Sequence, residues 1–103
     1  MAPKIIYMTN VDRRYFMMRR ALDELIADGE MPVSSQVVKT EDGSVWSASW
    51  EEKLRGSALV MIRFMGNTIR TKFWTACMHF LSREGIPYYL SLIHISEPTR
   101  RSY

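Results

Sequence analysis

Apolar residues along this chain gather in short runs, separated by longer stretches in which they recur every three or four positions. That is the pattern of strands alternating with amphipathic helices. Lys4 to Met8 (Lys-Ile-Ile-Tyr-Met) is a partly β-branched run of the kind that forms a strand covered on both faces. In the stretch that follows, Tyr15, Met18, Leu22, Leu25 and Ile26 share one helical face. Asn10 is placed to cap its start, and Gly29 supplies a left-handed residue at its end. Pro32 stops any continuation. Val33 to Lys39 mixes Val37 and Val38 with Ser and Gln, the composition of a strand near a sheet edge, and Glu41-Asp42-Gly43 is a turn signal.

Ser49, followed three residues later by Glu52, is a capping-box pattern. Trp50 and Leu54, joined by Trp46, give this short helix an apolar stripe that ends near Gly56. Ala58 to Met65 is nearly continuous in apolar residues and too short for a helix, so it should be the central strand. Gly66-Asn67 breaks it. From Thr68 to Glu84 the residues Ile69, Phe73, Ala76, Cys77 and Phe80 mark one helical face, closed by Gly85. Ile86 to Leu90 opens a further strand, with Pro87 tolerable at its start. The alternation of strands and helices is that of right-handed parallel units with helices on both sheet faces. It predicts a three-layer α/β fold with a parallel sheet, flavodoxin-like in the order 2-1-3-4 or, alternatively, Rossmann-like. About four strands are visible where such sheets carry five or more, so the sheet should be incomplete, with an exposed edge.

The end of the chain breaks the pattern. Leu90 to Tyr103 reads Leu-Ser-Leu-Ile-His-Ile-Ser-Glu-Pro-Thr-Arg-Arg-Ser-Tyr. Over Leu90 to Arg100 it resembles, residue for residue, the in-frame translation of a transposase adapter used in short-read library preparation. Residues 90–103 are therefore expected to be an adapter-derived tail, set aside in fold reasoning, and residues 1–89 to be the natural α/β portion. The alternative is a genuine C-terminal strand with a disordered end. His94 carries no functional weight on the first view.

Composition then limits the function classes. The 103 residues make one domain at most, with 47% apolar and 24% charged residues. A single cysteine, Cys77, excludes an internal disulfide and a paired-thiolate zinc site. No apolar run approaches the ~20 residues of a bilayer span, and Met1 to Lys4 leads directly into a strand-like segment where a leader would have a charged n-region. A cytoplasmic location is the expectation. Net charge is +3, or +2 once Glu97, Arg100 and Arg101 leave the count, which points to neither a nucleic-acid nor a membrane partner.

In open parallel sheets ligands bind beyond the C-terminal strand ends, where connections diverge. That region holds Thr9, Asn10 and Asp12 after the first strand, and Met65, Gly66, Asn67 and Thr68 after the third. Asn67 and Thr68 at a helix start would offer N–H groups to an anion, the alternative being that Gly66 and Asn67 are only a turn and a cap. Arg63, near the end of a buried strand, must bring its guanidinium to water or to a carboxylate. It is either an anion or partner contact or the structural partner of an acid such as Asp12. Thr9, Asn10, Arg63, Gly66 and Asn67 are thus the candidate ligand or partner contacts, and no catalytic or metal residue is assigned. His79 falls on the polar side of its helix, and Cys77 on the apolar side, without a partnering base. Arg13, Arg14, Arg19 and Arg20 scatter around their helix among Asp12, Asp23, Glu24 and Asp28. Phe16, Met17 and Trp74 fall away from their helices' core stripes and should form an exposed docking surface.

The stretch Leu59-Val-Met-Ile-Arg-Phe-Met-Gly66, then Phe73-Trp74, then Arg83-Glu84-Gly85-Ile86-Pro87, resembles the N-terminal region of the cobaltochelatase large subunit, a family related to the large subunit of magnesium chelatase. The likeness covers most of Lys4 to Leu90 and departs at Asn67, where the family usually has a second Gly. The resemblance implies ATP-dependent insertion of cobalt into a corrin ring in cobalamin synthesis, or of magnesium into protoporphyrin in the sister enzyme. The partners it implies are the remainder of the large subunit, an AAA+ ATPase subunit and a subunit with a metal-binding domain. ATP, Mg2+, cobalt and the corrin belong to that whole assembly. No cofactor is expected in this fragment, which would not be catalytic alone. A free-standing flavodoxin-like or receiver-like binding domain is the alternative. Against it stand Arg63 to Gly66 where a receiver has its Asp, and Thr9-Asn10-Val11-Asp12 where a flavin carrier has a hydroxyl-rich loop.

Overall fold

A computed structural model of the protein describes residues 4–40, 45–65 and 72–93. The elements are β1 (Ile5–Thr9), α1 (Asp12–Ala27), β2 (Gln36–Lys39), α2 (Ala48–Leu54), β3 (Leu59–Met65), α3 (Lys72–Arg83) and β4 (Tyr88–Ile93). The four strands form one parallel sheet in the order β2-β1-β3-β4. This is the expected α/β arrangement, with the apolar run of β3 inside the sheet and the more polar β2 at an edge. Val33, expected at the start of β2, lies outside the strand and is exposed.

Because successive strand residues face opposite ways, the sheet has two unlike sides. Ile6 and Met8 of β1 and Val60, Ile62 and Phe64 of β3 point toward α2 and α3. With Leu54, Phe73, Trp74, Cys77, Phe80, Leu81 and Ile86 they form the hydrophobic core. On the other side α1 packs chiefly against β2, and less closely against β1. It contributes no fully buried residue, its inward Tyr15, Met18, Leu22, Leu25 and Ile26 being half-buried. Toward β3 and β4 that side lies open: the register partners Met61 and Tyr89 are 38% and 67% exposed.

Trp74 corrects an expectation. Far from belonging to an exposed surface, it is buried, its ring stacked on Phe64 at 4.7 Å and 7°. The buried arc of α3 runs through Phe73, Trp74, Cys77, Phe80 and Leu81. It is rotated toward Trp74 relative to the stripe through Ala76, which is only half-buried. Phe16 and Met17, by contrast, are exposed as expected. Trp46 joins Trp50 in a stacked pair at 6.3 Å, and both rings meet Phe73 edge-on. This aromatic cluster fixes α2 against the start of α3.

The helix ends also differ in detail from the sequence pattern. Val11, not Asn10, precedes α1, and Ser47, not Ser49, precedes α2, neither with a side-chain cap bond. At the other ends, Gly29 and Gly85 take positive φ, and the N–H groups of Glu30 and Ile86 reach back to the carbonyls of Leu25 and Leu81. That six-to-one bond needs a residue tolerant of the left-handed region, which only glycine adopts without strain. β4 runs across the junction at residue 90: Tyr88 to Ile93 pairs in register with Val60 to Met65. The Leu-Ser-Leu-Ile segment therefore extends the strand.

Replacing Trp74 by Ala should lower unfolding free energy by about 3–5 kcal/mol, as for other buried large aromatics. Phe16→Ala should stay within about 0.5 kcal/mol, the range of surface substitutions. Urea titrations followed by circular dichroism distinguish the two.

Candidate functional site

The C-terminal ends of the strands bring together residues far apart in sequence. Lys39, Thr9, Arg63 and, through β4, Ser91 are successive register partners across all four strands. Partners at one level of a parallel sheet point to the same side, here the side of α1. Thr9 is fully buried; its hydroxyl accepts the Val11 N–H at 3.1 Å and its carbonyl accepts the Thr40 N–H at 2.9 Å. The first turns the chain from β1 into α1, and the second holds the end of β2 against β1. Asn10 follows, half-buried.

Asp12 opens α1 and forms a 2.7 Å ion pair with Lys39. Asp12 is thus committed to β2 and does not pair with Arg63, which removes the structural pairing considered from the sequence. Arg63 is half-buried, and its Nε is shielded from water with no hydrogen-bond partner among the described residues. A cation carrying an unmet donor at the switch point of the sheet suits a carboxylate or phosphate oxygen. Gly66, Asn67 and Thr68 lie outside the described residues. Lys39 and Ser91 were not singled out in the sequence. The signal for Lys39 was the strand order itself, since β2 beside β1 brings its final residue level with Thr9.

Two further groups are structural. Glu51 accepts the Trp46 indole N–H at 3.1 Å and faces Arg83 at 3.7 Å and Arg55 at 4.0 Å. Arg55 and Arg83 both lie over the Phe80 ring. This network ties α2 to α3 through charge and cation–π contacts. Cys77 is fully buried in the core, and loss of hydration pushes its thiol from the ordinary 9.0 up to about 12. A thiol held neutral at physiological pH is a packing group and not a nucleophile. His79 is exposed. Among the described residues no three His, Cys, Asp or Glu side chains converge as a metal site, and no helix is long and apolar enough to cross a membrane.

Arg63→Met should raise unfolding free energy by about 1 kcal/mol, because it removes a shielded donor with no partner among the described residues. A fall of that size in a urea titration would mean that Arg63 is satisfied. For Cys77 the sign is fixed by its raised value in the folded chain: the unfolded thiol ionises near 9.0 while the folded one stays protonated until about 12. Its contribution is complete below pH 9 and declines as pH rises through that window. A Cys77→Ala chain should show a shallower loss of stability over the same window.

Compared with family models, with curated proteins and with solved structures, the chain matches none.

Proposed function

We propose that residues 1–89 form the N-terminal α/β domain of a cytoplasmic cobaltochelatase-type large subunit. In that setting the domain is a docking layer and performs no chemistry of its own. The assembly as a whole would insert cobalt into a corrin ring, using ATP and Mg2+ on its AAA+ subunit, with the metal and the macrocycle held elsewhere in the large subunit.

The observation that carries this reading is the uneven covering of the sheet. One face is closed by α2 and α3 with a full hydrophobic core, while the other leaves Met61 and Tyr89 open beside α1. Apolar surface of this kind, next to the open backbone edge of β4, suits attachment to further protein. Arg63, whose Nε has no partner among the described residues, offers a charged anchor on the same side for that attachment. The segments that carry the resemblance also bear on the fold: β3 is internal, Phe73 and Trp74 lock α3 onto it, and Gly85-Ile86 closes the helix. Separate domains in one chain commonly meet through surfaces of this mixed character.

The deciding measurement is adapter-free long-read sequencing of the source locus through the codon for Tyr89. The reading frame should continue into a long chelatase body; a stop codon within a few positions of Tyr89 would overturn the proposal. The strand order also suits a free-standing flavodoxin-like domain. FMN titrated into the purified chain should leave the flavin visible band unshifted, whereas saturable binding would favour that alternative.

A further inference from the structure

Among the described residues, the fold leaves the charge of Arg63 unanswered. Its Nε is enclosed with no hydrogen-bond partner, and Asp12, the acid that opens α1 at the same end of the sheet, is held by Lys39 at 2.7 Å. An enclosed donor without a partner weakens the fold, which is why Arg63→Met is expected above to strengthen it. A side chain that costs stability where it stands is characteristic of a site shaped for binding instead of packing.

Topology sets the place of this cation. β1 and β3 are neighbours in the sheet, with Thr9 and Arg63 as register partners. From β1 the chain passes to α1 on one face, whereas α3, which follows β3, packs on the other face with Val60, Ile62 and Phe64. Connections that leave adjacent strands toward opposite faces open a crevice between their C-terminal ends. Arg63 stands at that crevice, half-buried, so its side chain is partly enclosed and partly within reach of solvent.

The surroundings select among anions. A phosphate is usually cradled by backbone N–H groups at a strand-to-helix turn. Here the Val11 N–H is taken by the Thr9 hydroxyl at 3.1 Å, and the first turn of α1 carries an acid, Asp12, that disfavours a dianion. Lys39 and Asp12 cancel as a pair, which leaves the single charge of Arg63. A planar guanidinium meets a planar carboxylate through two parallel N–H bonds, and the charges then balance one to one. We propose that the crevice between the ends of β1 and β3 is a carboxylate-binding site, with Arg63 as the residue that holds the ligand. As the charged anchor named above, on which reading this rests, Arg63 takes its carboxylate from a free organic acid or from a glutamate or aspartate side chain of attached protein.

NMR titration of the full 103-residue chain is the test, reading the Nε–H signal of Arg63 and the backbone amide of Thr9, with the Nε–H signals of Arg13 and Arg19 as internal references. Acetate should move the Arg63 signal saturably, with a midpoint on the order of 1 mM, within the range open to so small a ligand. Sodium chloride at equal ionic strength should leave it in place. N-acetylglutamate amide separates the two sources: tighter binding than acetate indicates a side chain of attached protein, and equal or weaker binding a free acid. Its glutamine counterpart, the same body without the charge, should not bind. Arg63→Lys, which keeps the charge and loses the planar fork, should weaken acetate binding about tenfold as read by the Thr9 amide. Arg63→Met should abolish it with an unchanged circular dichroism spectrum. The proposal is overturned if no shift saturates, if Arg63→Met still binds acetate, or if inorganic phosphate binds more tightly than acetate. A stop codon soon after Tyr89 would remove the chelatase reading and leave this result untouched.

Discussion

The packing of β3 against α3 is the constraint on which the rest of this molecule depends. Val60, Ile62 and Phe64 present an unbroken apolar row, and α3 answers with Phe73, Trp74, Cys77, Phe80 and Leu81. The Phe64–Trp74 stack lies at one end of this seam, and Ile86, folded back beyond Gly85, closes the other. β1 and β4 flank β3 on either side, and α2 is drawn in through the Trp46–Trp50–Phe73 aromatic cluster. A chain this short can bury only a limited fraction of its surface. Here the buried share is concentrated on a single face of the sheet.

The consequence is a molecule with one finished side and one unfinished side. α1 rests on β1 and β2 through half-buried residues and leaves Met61 of β3 and Tyr89 of β4 exposed. The open sheet face, argued above to engage other protein, belongs to this second layer. The polar row Lys39, Thr9, Arg63 and Ser91 runs along its upper margin. The structure thus separates the part that supplies stability from the part that is free to interact.

Much of the fold was legible in the sequence because its strands are short apolar runs and its helices carry clear three-to-four spacing. Seven elements and their types follow from those two periodicities, while the observed order β2-β1-β3-β4 was one of two that the handedness of parallel crossovers left open. The exact caps did not follow, since Asn10 and Ser49 are good cap residues in isolation while the tight exits from β1 and toward α2 place Val11 and Ser47 there. Trp74 was misplaced because a stripe read from spacing has no fixed centre, and a rotation of about half a residue step along α3 moved it into the core. At the candidate site, Thr9 and Arg63 were legible as strand-end residues. The pairing of Asp12 with Lys39 was not, because it depends on which strand lies beside β1. Long-range neighbours of this kind are set by topology, on which residue spacing is silent.

Strand order also governs how such a chain comes to be folded during synthesis. β1 is made first, yet its two neighbours are β2, some thirty residues on, and β3, more than fifty residues on. The hydrophobic seam cannot close until α3 has followed β3 out of the ribosome. Parallel pairings at such separations carry a loop-closure cost before any contact repays it. For most of its translation the nascent chain therefore holds a β-branched segment with nothing beside it, and its capture by a chaperone, or by a sister chain on the same polysome, becomes a matter of timing.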